Sequence, residues 1–134
     1  MTAIGSPLTM IASDGFLADG KGHPRTSGTF SKVLGKYVRE LKVMSLMEAQ
    51  AKMTIRPAKR LDSFTPQMAK KGRLQVGADA DITIFNAAEV IDQATFTQPT
   101  LPPKGIPFVL VGGQLVIEEG NLNETIRPGV AIRN

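Results

Sequence analysis

The sequence predicts an α/β chain: one short strand of the kind buried on both faces, then a helical block, then a small antiparallel sheet. Three patterns predict it. Pro7-Leu8-Thr9-Met10-Ile11-Ala12 is a nearly continuous apolar run, as expected for a strand covered on both sides. Phe30, Val33, Leu34, Tyr37, Val38 and Leu41 fall on one stripe at helical spacing. Two runs of β-branched and apolar residues flank Gly112-Gly113, a pair that suits a two-residue hairpin because both positions tolerate positive φ.

Each element follows in order. The first strand ends at Ser13-Asp14-Gly15, and a loop rich in Gly, Asp and Pro runs on through Gly20, Gly22, Pro24 and Gly28. The striped helix carries Lys32, Lys36 and Arg39 on its other face. Ser45 and Glu48 have the spacing of a capping box, so a second helix should run to about Met53. Thr54 should cap a short third helix with Pro57 near its start, which makes residues 29–61 helical. Met44, Met47 and Met53 read as core or gap fillers. Alternation returns at residues 80–85, predicting a strand. Residues 86–105 read as a long connection with three prolines. Residues 108–111 and 114–117 should form the hairpin, and Pro128-Gly129 should turn into a final strand over 130–132. A lone buried-type strand has no parallel neighbour here, so the chain reads as the tail of a larger α/β architecture.

Composition bounds the rest. With 134 residues, 42% hydrophobic and 21% charged, one globular unit is expected. The length excludes a complete (β/α)8 barrel, which takes roughly 250 residues. There is no cysteine, hence no disulfide, thiolate nucleophile or sulfur-ligated metal. No apolar run reaches the roughly 18 residues of a spanning helix, and residues 1–10 lack the basic start of a signal peptide. A cytoplasmic, membrane-free protein is therefore expected. The net charge of +4 hides an asymmetry: residues 21–73 hold 13 of the 16 basic residues and only three acids. Such a segment could meet nucleic acid or another anionic surface, but one Tyr and no Trp offer few stacking platforms, which disfavours nucleic acid.

Few residues could carry chemistry. Asp14 sits just past the carboxyl end of the first strand, where α/β sheets present polar groups to substrate; Ser-Asp-Gly is also ordinary turn composition. His23 is the only histidine and cannot make a zinc site by itself. Arg25 has the fork that suits a carboxylate, or it is simply an exposed loop side chain. Residues 72–81 match no phosphate-binding motif and read as a tight turn entering a strand.

Two layers of motif carry a resemblance. Lys71-Gly72-Arg73-Leu74 through Gly77-Ala78-Asp79-Ala80-Asp81-Ile82, then Val109-Leu110-Val111-Gly112-Gly113 and Gly120, resemble the carboxyl-terminal part of metal-dependent amidohydrolases. Ser13-Asp14-Gly15, His23-Pro24-Arg25, Gly28-Thr29-Phe30, Tyr37-Val38-Arg39-Glu40, Lys52-Met53-Thr54, Pro57-Ala58 and Arg60-Leu61, in that order, are similar to the N-acyl-D-amino-acid deacylase (D-aminoacylase) group. The likeness runs from about Pro7 to Ile132.

The resemblance implies that residues 1–61 are the end of a TIM barrel, its last strand plus closing helices, and that residues 62–134 belong to the flanking small β-sandwich. It implies hydrolysis of N-acyl-D-amino acids to a D-amino acid and a carboxylate. Asp14 would be the general base on metal-bound water and a weak or second-site metal ligand. Arg25 would bind the substrate's α-carboxylate, and His23 would order that loop beside it. The cofactor is zinc in the complete enzyme. The family's histidines and its bridging or cysteine ligand have no counterpart here, so no metal is expected in the isolated chain, which should be inactive. Asn86 stands where an acid is common, and Gly112 where asparagine usually opens the turn. The chain is then expected to oligomerise, to rearrange, or to meet a complementing N-terminal chain, because large apolar patches are rarely left in water. The alternative is a non-catalytic binding or structural module that uses the basic 21–73 segment.

Overall fold

A computed structural model describes residues 2–133. The elements are α1 (Thr2–Gly5), a hairpin of β1 (Leu17–Ala18) and β2 (Lys21–Gly22), α2 (Arg25–Lys32), a π-helical continuation over Val33–Glu40, α3 (Leu46–Met53) and α4 (Ile55–Leu61). A 3₁₀ turn (Pro66–Lys70) and strands β3 (Ile82–Ile84), β4 (Phe108–Val111), β5 (Gln114–Glu118) and β6 (Asn121–Leu122) complete the chain. Two compact units are formed. One holds residues 1–49 and 86–105, the other residues 50–85 and 106–134.

The first unit buries Val33, Leu34, Ala49 and Val90. Lys32 and Lys36 face solvent, as the apolar stripe requires. The helix begins five residues before the stripe, at Arg25, and its second half winds more widely: the Leu41 N–H donates to the Lys36 carbonyl, five residues back, at 2.9 Å. Over two turns, apolar spacing does not distinguish the two windings. The 86–105 segment packs on this helix at Gly35, where a Cβ would lie 2.4 Å from the Val90 carbonyl oxygen. Arg39 donates to that same carbonyl at 2.7 Å. The Ser45 half of the capping box is formed: the Glu48 N–H donates to Ser45 Oγ at 3.1 Å.

The second unit is organised by an antiparallel meander in the order β3-β4-β5-β6. Val111 faces Gln114 across the expected Gly112-Gly113 turn, and both glycines have positive φ, 55° and 79°. Residues 72–81 are a structural turn. Lys71 Nζ pairs with Asp79 at 3.0 Å and with Asp81, while Asp81 Oδ1 accepts from the Gly112 N–H at 2.8 Å. The Lys71 ammonium and then the Gly112 N–H hold the Asp81 carboxyl below the usual carboxylate range. Hydrogen bonds from Lys71 to Asp81 and Asp79 raise the Lys71 ammonium in turn.

Four expectations are corrected. Residues 7–12 belong to no strand: a single extended run has nothing to pair with, and among the described residues no backbone bond joins Met10, Ile11 or Ala12 to another segment. Residues 130–132 form no strand either; instead the Arg133 N–H donates to Gln67 Oε1 at 3.0 Å. Thr54 makes no side-chain cap on α4, because its hydroxyl donates back to the Gln50 carbonyl at 2.7 Å. Met47 is 72% exposed and fills no core.

Candidate functional site

The three residues singled out from sequence meet in the first unit. Asp14 takes a left-handed backbone (φ 47°), a conformation that Asp tolerates better than most side chains. Gly15 follows it because a Cβ there would sit 2.5 Å from Thr26 Cα. The turn after residue 13 is thereby pressed against the first turn of α2. On that same first turn stands Arg25, whose Nη2 lies 3.2 Å from Asp14 Oδ2. Both side chains are open to solvent, at 47% and 90% exposure.

His23 completes the arm. Its Nδ1 accepts from the Arg25 backbone N–H at 3.1 Å, and its carbonyl accepts from the Thr26 N–H at 3.1 Å. Nδ1 must therefore be unprotonated, which places the imidazole proton on Nε2. Thus His23 fixes where Arg25 starts, and Arg25 fixes Asp14. Phe96 also reaches this arm, edge-on to the His23 ring at 4.9 Å between centroids and 78° between planes. Sequence reasoning passed over Phe96. The signal was an aromatic residue framed by Thr95, Thr97, Gln98 and Pro99, turn formers that would expose it at a loop tip.

Chemically, the arm offers one exposed carboxylate, one guanidinium with free donors and one neutral imidazole. It can accept a proton at Asp14 and bind an anion at Arg25. It does not fit a metal centre by itself: among the described residues no group of three or more His, Asp or Glu could hold an ion, whereas zinc takes three or four protein ligands. Among the described residues no helix is long and apolar enough to cross a membrane.

Comparison with known proteins agrees with the motifs. The amidohydrolase family model matches residues 2–117. The N-acyl-D-glutamate deacylase of Alcaligenes xylosoxydans xylosoxydans is 44% identical over 92% of this chain, which spans 24% of that protein. A crystal structure of N-acyl-D-glutamate deacylase from Bordetella bronchiseptica, complexed with zinc and a phosphonate mimic of the tetrahedral intermediate, superposes with a TM-score of 0.83 at 42% identity. It covers 98% of this chain and 26% of its own. A crystal structure of D-aminoacylase gives a TM-score of 0.82 at 38% identity, covering 91% of this chain and 25% of its own. The chain therefore spans about a quarter of the length of these relatives.

Proposed function

Because this chain belongs to the amidohydrolase family, we propose that it is the carboxyl-terminal quarter of a zinc-dependent N-acyl-D-amino-acid deacylase, active only when the other three quarters of that fold are present. Residues 1–61 contribute the end of the catalytic barrel and residues 62–134 part of the flanking sandwich. The observation that carries this reading is the Asp14–Arg25 pair, 3.2 Å apart and open to solvent, in a chain 44% identical to a deacylase.

Asp14 is the general base. Its carboxylate takes a proton from the attacking water as the C–O bond forms at the amide carbon, and then delivers that proton to the amide nitrogen as the C–N bond breaks. Arg25 presents its remaining N–H donors to the substrate's α-carboxylate, a planar fork meeting a planar acceptor. Zinc belongs to the complete enzyme, and the residues of this chain do not suffice to hold it.

Exposed apolar side chains support the need for a partner. Leu8 is 93% and Met10 47% exposed, and an open groove of about 490 Å³ runs between Ile4, Met10, Ile11, Val33 and Tyr37. A complementing N-terminal polypeptide covers this face; without it the chain self-associates. A monodisperse monomer in ultracentrifugation contradicts that last point.

The test is complementation. The chain is co-expressed with the first three quarters of the Alcaligenes N-acyl-D-glutamate deacylase, and release of D-glutamate from N-acetyl-D-glutamate is followed. Hydrolysis is expected only from the pair. Asp14→Asn should lower kcat by roughly 10²–10⁴-fold, the usual contribution of a general base. No hydrolysis from the pair, or hydrolysis indifferent to Asp14→Asn, overturns the reading.

A further inference from the structure

We propose that Phe96 is a positioning residue of the substrate-carboxylate site, acting on Arg25 through His23. The proposal rests on the reading of Arg25 as the carboxylate-binding group and extends it to a segment that carries no motif.

The Phe96 ring is presented by a rigid mount. At the tip, the Thr95 N–H donates to the Gln98 carbonyl at 3.1 Å and the Gln98 N–H donates to Thr95 Oγ1 at 3.0 Å. The hydroxyls of Thr95 and Thr97 are 3.1 Å apart. This closed turn puts Phe96 at its apex, 76% exposed. Lower down, Ile91 and Lys104 exchange backbone hydrogen bonds at 3.2 and 3.0 Å. At the base, Val90 is buried and its carbonyl is held by Arg39. Asp92 is tied to Lys32 at 3.7 Å. A loop anchored at tip, middle and base holds one large apolar side chain in water. Burial does not explain that, since three quarters of the residue stays wet. Its described ring contact is with His23, the two rings nearly perpendicular.

The consequence passes along three links. The Phe96 edge restricts rotation of the imidazole, leaving Nδ1 directed at the Arg25 N–H, 3.1 Å away. That bond fixes the backbone at the start of α2. The start of α2 sets where the Arg25 guanidinium stands relative to Asp14. Without the ring, His23 is free to turn about its side-chain bonds, and Arg25 samples positions in which a carboxylate meets it less often.

The 134-residue chain contains one histidine, so its imidazole nitrogen signals are unambiguous by NMR. In the unmodified chain the Nε2–H tautomer should dominate, with a nuclear Overhauser contact between the Phe96 and His23 rings. Phe96→Ala should mix the two tautomers and move the Arg25 backbone amide signal. In the complemented enzyme it should raise the KM for N-acetyl-D-glutamate by about three- to tenfold. Phe96→Leu, which keeps bulk but not the aromatic edge, should fall between. A merely structural role would leave the tautomer untouched while lowering the melting temperature. An unchanged tautomer and Arg25 amide in Phe96→Ala overturns the proposal. If Phe96→Ala moves Arg25 but Arg25→Ala leaves the KM of the complemented enzyme for N-acetyl-D-glutamate unchanged, the relay stands and the carboxylate reading of Arg25 fails.

Discussion

The two units use the same kind of chemistry to opposite ends. In the second, Lys71 sits between Asp79 and Asp81, and Asp81 also accepts the Gly112 N–H. Each charge there finds its partner within the cluster, and the knot ties the turn before β3 to the β4–β5 connection. In the first, Asp14 meets Arg25 and remains 90% exposed. His23 and Phe96 support this pair from one side only, leaving the carboxylate and the fork facing outward. The Lys71 cluster completes itself and holds a turn, whereas the Asp14 pair leaves a carboxylate and a guanidinium accessible, as the role proposed for Asp14 and Arg25 requires.

Substitutions can break or sharpen that contrast. The largest effect is that of Asp14→Asn on the complemented enzyme, with activity down by roughly 10²–10⁴-fold while the melting temperature of the chain stays where it was. Next is Gly35→Ala, whose new methyl would lie 2.4 Å from the Val90 carbonyl oxygen. It should cost about 1–3 kcal/mol, read as a lower urea midpoint, because the segment carrying Phe96 must move off its helix. Asp81→Asn should cost about 1 kcal/mol and leave complemented activity within about twofold. Its effect has a pH signature. The folded Asp81 carboxyl is held low by Lys71 and by the Gly112 N–H, so its stabilisation is complete above the ordinary carboxylate range and is lost as pH falls through the lowered folded value. The gap between the unmodified chain and Asp81→Asn should therefore close in acid. Lys71 titrates with the opposite sign. Its raised value keeps its contribution until pH climbs through it. The smallest effect is Arg25→Ala on stability, at most about 0.5 kcal/mol for an exposed pair, despite a large loss of substrate affinity in the complemented enzyme.

The sequence made the closed half easier to read than the open half. Helical spacing located the buried Val33 and Leu34, and Gly112-Gly113 located the hairpin, because those patterns record contacts made within the chain. The 7–12 run reads as a strand for the same reason, yet a strand exists only when another edge pairs with it, and the described residues supply none. The short β6 and the 3₁₀ turn after Thr65 were illegible, being too brief to show a period. At the site, Asp14, His23 and Arg25 were legible as motif residues, but their meeting was not: Asp14 reaches Arg25 because a left-handed Asp14 and a crowded Gly15 bring the loop back on α2, while His23 bonds the Arg25 N–H only two residues away. Phe96 lay 71 residues beyond Arg25 in the chain, in a connection without periodicity.

The central claim is that Asp14 belongs to a metal-dependent site which this chain cannot complete by itself. Zinc per chain in the purified protein, measured after dialysis against a weak chelator, tests it most directly. A ratio near zero is predicted, rising to one or more only when the complementing polypeptide is present. A ratio near one for the chain alone contradicts the account, because Asp14, His23 and groups from neighbouring copies would then have assembled the site without the missing three quarters.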